Sequence, residues 1–297
     1  MRLFFIGDIV GKPGRQICTQ TLRGLRQEHA IDLIVANAEN ASGGSGLTPP
    51  IYRELLVAGI DGITLGDHVY KRREIIPILE TEQRIARPAN YPAEAPGPEV
   101  IILTVGHPAP GTGQHSAGGA PGSRSEECFR RVPGPVDQVR VAVFTLLGRV
   151  FMPPVDCPFH AADRVLASLP GDIRVILLDF HAEATSDEQL MGRYLDGRVT
   201  AVLGTHTHVP TADEQILPGG TAFQCDVGMT GPHESILGRR IDRVMETTLT
   251  HRPTHFDVAD KDVRLNGSLV DLDPQTGRAS SIRRIVVNED EARRLAE

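Results

Sequence analysis

The chain has 297 residues and a formal net charge of −7. Its apolar fraction of 40% suffices for a sizeable core, yet no run approaches the roughly 18 apolar residues of a membrane span. The acidic balance gives no basic footprint for a nucleic-acid backbone, and without Trp and with 4% aromatics there is little to build base-stacking platforms; stable nucleic-acid binding is not expected, whereas a small nucleotide stays open.

The opening "MRLFFIGDIV" has too short an apolar stretch for a secretory signal. Cys18, Cys128, Cys157 and Cys225 form no C-x-x-C pair and read as reduced thiols, so the expected location is the cytoplasm. Six apolar runs, each closing on Gly, Asp, Asn, Glu or His, read as buried strands: "RLFFIGD" (2–8), "DLIVANAEN" (32–40), "GITLGDH" (62–68), "VRVAVFTLLGR" (139–149), "IRVILLDFHAE" (173–183) and "AVLGTHTH" (201–208). Helical patterns lie between them. Pro13 suits a first turn ahead of Ile17, Leu22 and Leu25, and Thr48 with Pro49 reads as N-cap and first residue of a helix. Ser186-x-x-Gln189 reads as a capping box. Residues 106–136, rich in Gly, Pro, Ala and Ser, read as a flexible surface insertion between two strands, with His107 and His115 solvated. From about 254 onward, alternation around "LNGS" and "DPQTG" suggests antiparallel strands closing a sheet. Alternating strands and helices make this an α/β protein.

The polar residues at the strand ends are Asp8, Glu39 with Asn40, Asp67 with His68, His181, and the pair His206 and His208. In an extended strand, residues i and i+2 share a side, so both imidazoles of "HTH" would face one point. Ligands of open α/β sheets gather outside the carboxyl ends of strands. Oxygen and imidazole donors without thiolate suit Mn, Fe or Zn, and so many donors suit two ions rather than one, as used for displacement at phosphorus. Taken singly, Asp8 reads as a turn or cap residue, Asn40 as loop chemistry, and His68 and His181 as core histidines. Their repetition at strand end after strand end favours the metal reading. "GDIVGKPGR" (7–15) lacks Walker spacing, although its amides could approach a phosphate, and "VGMTGP" (227–232) reads as a tight turn. No G-x-S-x-G nucleophile motif is present, which favours metal-activated water.

The order Asp, acidic ligand, "GDH", lone His, "GTHTH" resembles the calcineurin-like metallophosphoesterases. More closely, "FIGDIVGKPGR", "NAENASGGSGLT", "RPANYP", "FMPPVDCPF", "DFHAEATS", "GTHTHVPTADEQILPGGTA" and "DVGMTGP" resemble their YmdB-like branch, bacterial cyclic-nucleotide phosphodiesterases. The resemblance implies a four-layer α/β/β/α sandwich with mixed sheets, in one metallophosphoesterase domain over 1–297. It implies one metal held by Asp8, Glu39, Asn40 and His208 and a second held by Glu39, Asp67, His181 and His206, with His68 as the proton donor to the leaving oxygen. Iron or manganese would be the metals, zinc or magnesium less so, and 2′,3′-cyclic nucleotides the substrates. Phosphomonoester or protein phosphatase activity, or a weakly active metal-binding regulator, are the alternatives; a homo-oligomer is compatible with any of them. Two positions depart from the wider pattern. Val10 stands where the superfamily has a His, a lack the branch shares, and Asp67 stands where the family has an Asn, adding a negative charge beside the metals.

Overall fold

The computed structural model describes residues 1–108 and 136–296. In chain order the elements are β1 (Arg2–Ile6), α1 (Gly11–Glu28), β2 (Leu33–Asn37), α2 (Pro49–Val57), β3 (Gly62–Thr64), α3 (Ile76–Thr81), β4 (Ile85–Ala86), β5 (Val100–Pro108) and β6 (Val136–Leu147). They continue with α4 (Pro158–Ser168), β7 (Val175–His181), α5 (Thr185–Tyr194), β8 (Ala201–Thr205), β9 (Gln215–Ile216), β10 (Ala222–Gln224), β11 (Gly231–Pro232), α6 (Ile241–Thr250), β12 (Val263–Leu272), β13 (Ala279–Val287) and α7 (Glu289–Ala296). All six apolar runs are strands. One mixed sheet runs β11-β12-β1-β2-β3-β4, with β13 on the far side of β12, and a second runs β5-β6-β7-β8-β10-β9.

Strand alternation builds four layers from these two sheets. In β1, Leu3 and Phe5 point into the core between the sheets, while Phe4 and Ile6 point out under α1, with Ile17, Leu22 and Leu25. The second sheet repeats the division: Val141, Val143, Val175 and Leu177 face inward, and Ala142, Phe144, Ile176 and Leu178 pack with Ala161 and Val165 of α4 and Met191 of α5. These strands read as unbroken apolar runs because both faces are covered. Each fully buried Leu, Ile or Phe here contributes about 1.5–3 kcal/mol through surface removed from water.

The C-terminal part closes the first sheet as its alternation predicts, with β12 antiparallel to both β1 and β13. Thr48 is the N-cap of α2 with Pro49 in its first turn, although the Thr48 hydroxyl makes no cap hydrogen bond. Three local expectations are corrected. The β5–β6 hairpin pairs out to Pro108 opposite Val136, so 106–108 and 136 are strand residues; the rest of the expected insertion, with His115, lies outside the described residues. Helix α5 starts at Thr185 with Ala184 as N-cap, which puts Ser186 inside the first turn and leaves no capping box. Gln189 instead turns its amide toward the Cys225 thiol. "VGMTGP" is no tight turn: Thr230 pairs alongside Ile9, its N–H donates to the Asp8 carbonyl (2.8 Å), and its own carbonyl accepts from Val10 N–H (2.9 Å). Gly7 is required there, since a Cβ would come 1.9 Å from the Gly228 carbonyl oxygen. Among the described residues no helix is long and apolar enough to cross a membrane.

One buried group is out of balance with this packing. Glu188, on α5, is 1% exposed and neither of its carboxyl oxygens has a hydrogen-bond partner. Burial, with the charges of Asp226 and Asp213, pushes its pKa up to about 10. The folded state therefore keeps a proton that the unfolded chain releases above about 4.5. The stability this proton supports is complete below that value and is lost as pH rises toward 10. Glu188→Gln should flatten the decline, so that the variant gains on the wild type by at most about 3 °C in Tm per pH unit between pH 5 and 9. Parallel calorimetric Tm curves for the two proteins would show that Glu188 is not protonated in the fold.

Candidate metal centre

The carboxyl ends of β1, β2 and β3 in one sheet and of β7 and β8 in the other meet at one place. Glu39, Asp67, His181 and His206 each bring one donor atom there, all within 4.8 Å of one another. His181 Nε2 lies 3.3 Å from both Glu39 Oε1 and Asp67 Oδ1, and 3.0 Å from His206 Nδ1. Gly66 is what lets them close up: a Cβ there would sit 2.4 Å from Glu39 Oε2 and from His181 Nε2.

A second group adjoins the first across Glu39. Asn40 Nδ2 donates to Glu39 Oε1 (3.2 Å) and faces His208 Nε2 at 3.2 Å, and His208 Nε2 is 3.9 Å from Asp8 Oδ1. Asp8 is fully buried; its Oδ2 accepts from His206 N–H (3.0 Å), and its Oδ1 has no partner. All seven residues singled out as ligands are thus brought together. His68 stands at the rim, 29% exposed. Its backbone N–H donates to Glu39 Oε2 (2.9 Å) and its Nδ1–H to Asn40 Oδ1 (2.7 Å), while its Nε2 lies 3.9 Å from Asp67 Oδ2. As it stands, the Asn40 oxygen serves His68 and the amide nitrogen faces His208; ligation through oxygen would need the amide turned over.

The two histidines of "HTH" arrive differently from the expectation. β8 ends at Thr205, and His206 and His208 have φ of 107° and 66°. Left-handed backbone, not strand alternation, sends one ring to Glu39 and Asp67 and the other to Asp8. Such strain in non-glycine residues persists where the surroundings over-determine it, commonly at functional sites. Three amides of the loop after β1 are engaged within the fold: Ile9 N–H donates to the Asn37 carbonyl, Val10 N–H to that of Thr230 and Gly11 N–H to that of Asn40.

Supporting residues that the sequence reading passed over orient the rings. Asp179, fully buried, accepts from Asn37 Nδ2 (3.0 Å) and Thr64 Oγ1 (2.6 Å) on one oxygen and from Thr205 Oγ1 (2.7 Å) on the other. Because Thr205 gives its proton to Asp179, its oxygen accepts from His181 Nδ1–H (2.8 Å), which turns Nε2 toward the site. Burial pushes Asp179 up to about 6. Glu183 Oε2, 3.2 Å from His206 Nε2, likewise leaves Nδ1 facing the centre, and the Leu237 carbonyl accepts from His208 Nδ1–H (3.1 Å). A signal existed for part of this: Asp179 precedes His181, and Asn37 precedes Glu39, by the two residues that put strand side chains on one face.

The electrostatics fit a cation. Burial alone would discharge His181, but the carboxylates of Glu39 and Asp67 outweigh it and raise the imidazole well above its ordinary value. Burial opposes charge on Asp67 too, and the His181 contact more than reverses this, holding Asp67 below the usual carboxylate range. The pocket calls for positive charge, and oxygen and imidazole donors with one orphaned buried carboxylate oxygen suit a hard or borderline divalent ion.

Comparison with known proteins agrees with this geometry. The profile described as "YmdB-like protein" matches residues 4–110 and 119–285. A Bacillus subtilis (strain 168) protein named 2′,3′-cyclic-nucleotide 2′-phosphodiesterase is 39% identical over 290 residues, covering 98% of each chain. A crystal structure from Mycoplasma pneumoniae, described as a novel phosphatase, superposes with a TM-score of 0.80 at 27% identity, covering 97% of this chain and 93% of that one. The calcineurin-like phosphoesterase YfkN from Bacillus subtilis shares the fold at a TM-score of 0.52 and 11% identity, over 99% and 95% of the two chains. The chain is a member of the YmdB-like family.

Proposed function

We propose that the protein is a dinuclear metal-dependent phosphodiesterase acting on 2′,3′-cyclic nucleotides. The observation that carries this is the position of Glu39, whose buried carboxylate lies between two donor sets, Asp67 with His181 and His206 on one side and Asn40 with His208 and Asp8 on the other. One carboxylate shared by two sets is the arrangement for a pair of ions. Iron or manganese suits the thiolate-free donors, and the likeness to the Bacillus subtilis phosphodiesterase supports the substrate. The metals, when bound, supply Lewis acidity toward the phosphoryl oxygens and toward water.

The chain's own part is holding and proton transfer. Glu39, Asp67, His181 and His206 would hold one ion, and Asp8, Asn40, His208 and Glu39 the other. His68 is held through its backbone by Glu39 and through Nδ1 by Asn40; with that amide turned over to ligate, Asn40 Nδ2 would donate to Nδ1 and the ring proton would sit on Nε2, the atom that would deliver it to the departing ribose oxygen as the P–O bond breaks. Cys18, Cys157 and Cys225 are free thiols, which supports a reducing, cytoplasmic setting.

Elemental analysis of the purified protein, paired with 2′,3′-cyclic AMP hydrolysis on the same sample, should find two metals per chain with turnover that chelation removes. His68→Ala should lower kcat on the order of 10²- to 10⁴-fold with metal content intact. Loss of metal from that variant would make His68 a ligand instead. Metal-loaded protein that ignores cyclic nucleotides but turns over phosphomonoesters would move the assignment to a phosphatase.

Asp67 adds an anionic ligand beside the ions, which tightens cation binding and weakens Lewis acidity. Asp67→Asn should therefore release metal more readily and change the rate, or the order of preference between manganese and iron, by several-fold. Unchanged rate and preference would show that the charge of Asp67 has no catalytic consequence.

A further inference from the structure

A cavity of about 370 Å³ opens over the metal centre, near the lower end of the roughly 300–1,000 Å³ of small-molecule sites. Its two walls differ in kind. One is the polar set, including Glu39, Asn40, His68 and His208; the other is apolar and comes from one stretch of chain, Leu237, Val244 and Phe256 with Ile236. These are large apolar side chains left open, Leu237 at 51% and Phe256 at 38% exposure. A chain so poor in aromatics places Phe256 beside its one cluster of metal-binding groups among the described residues.

The apolar wall is locked to the metal centre. Leu237 takes a left-handed backbone, φ 49°, and its carbonyl accepts from His208 Nδ1–H. Arg239 donates to the Phe256 carbonyl (3.0 Å), the Gly43 carbonyl (3.1 Å) and the Gly44 carbonyl, tying the stretch to the loop that follows Glu39 and Asn40. An apolar surface held at a set distance from a phosphoryl-binding centre matches a substrate with a charged end and a flat apolar end.

We propose that Leu237, Val244 and Phe256 form a nucleobase seat, in which the base of a cyclic nucleotide is held by stacking and apolar contact while its phosphate lies at the metal centre. The proposal rests on the phosphodiesterase reading and names the recognition that reading leaves open. Stacking is tolerant of sequence because every base has a π-face. The seat therefore accepts all four bases and favours purines over pyrimidines by contact area rather than by reading base edges.

The test compares 2′,3′-cyclic AMP with ribose 2′,3′-cyclic phosphate, which lacks the base, on metal-loaded protein. In Phe256→Ala the ratio of kcat/KM for the nucleotide to that for the base-free ester should fall by about tenfold, mostly through KM for the nucleotide. Phe256→Trp should keep the ratio. Val244→Asn, on the other arm of the wall, should lower it as well and reports independently if Phe256→Ala does not fold. A wild-type ratio near one, or a ratio unmoved by these substitutions, overturns the seat while leaving the phosphodiesterase intact. A wild-type protein that hydrolyses neither ester overturns the phosphodiesterase reading, and the seat with it.

Discussion

The hydrogen bonds that converge on the Asp179 carboxylate join the two halves of this molecule. Asn37 and Thr64 reach it from the strands of one sheet and Thr205 from the other, and Thr205 passes the connection to His181. Between two sheets whose facing side chains are mostly apolar, a buried carboxylate needs all its acceptors met, so the strand ends can meet in few relative positions. The candidate metal centre stands directly on this junction. Its geometry is set by how the sheets dock.

Around that junction the charges are arranged as a demand for cations. Glu39, Asp8 and Asp179 are buried, and His181, His206 and His208 come from β7 and the loop after β8, in the sheet that also carries Asp179. Buried anions of this number would oppose folding if nothing balanced them. A cation held there would resolve the conflict by supplying charge where the backbone cannot, and would then stabilise the closed sandwich. Glu188, on the outer face of the second sheet, has no such partner and keeps a proton instead.

The apolar wall of the cavity over the centre is built from a stretch late in the sequence. The stretch carrying Leu237, Arg239 and Phe256 lies nearly 200 residues from the Gly43 and Gly44 carbonyls it grips, and its attachment to His208 makes the cavity wall an extension of the ligand shell.

Much of this was legible in the sequence. Unbroken apolar runs required strands covered on both faces, and their ends carried all seven candidate ligands together with His68, because strand period and strand termination are local properties of the chain; only the family resemblance set His68 apart from the ligands. Other features were not local. The left-handed turn at His206 and His208, the pairing of "VGMTGP" with the first loop, and the contact of the Gln189 amide with Cys225 depend on neighbours far along the chain. Asp179 sat in plain view two residues before His181, but an Asp within "VILLDF" is indistinguishable from a tolerated core polar group until the other sheet supplies Asn37 and Thr64. By itself the sequence determined which residues stand at the strand ends; the tertiary structure decided which of their atoms face one another, because only the docking of two sheets brings donors more than a hundred residues apart within bonding distance.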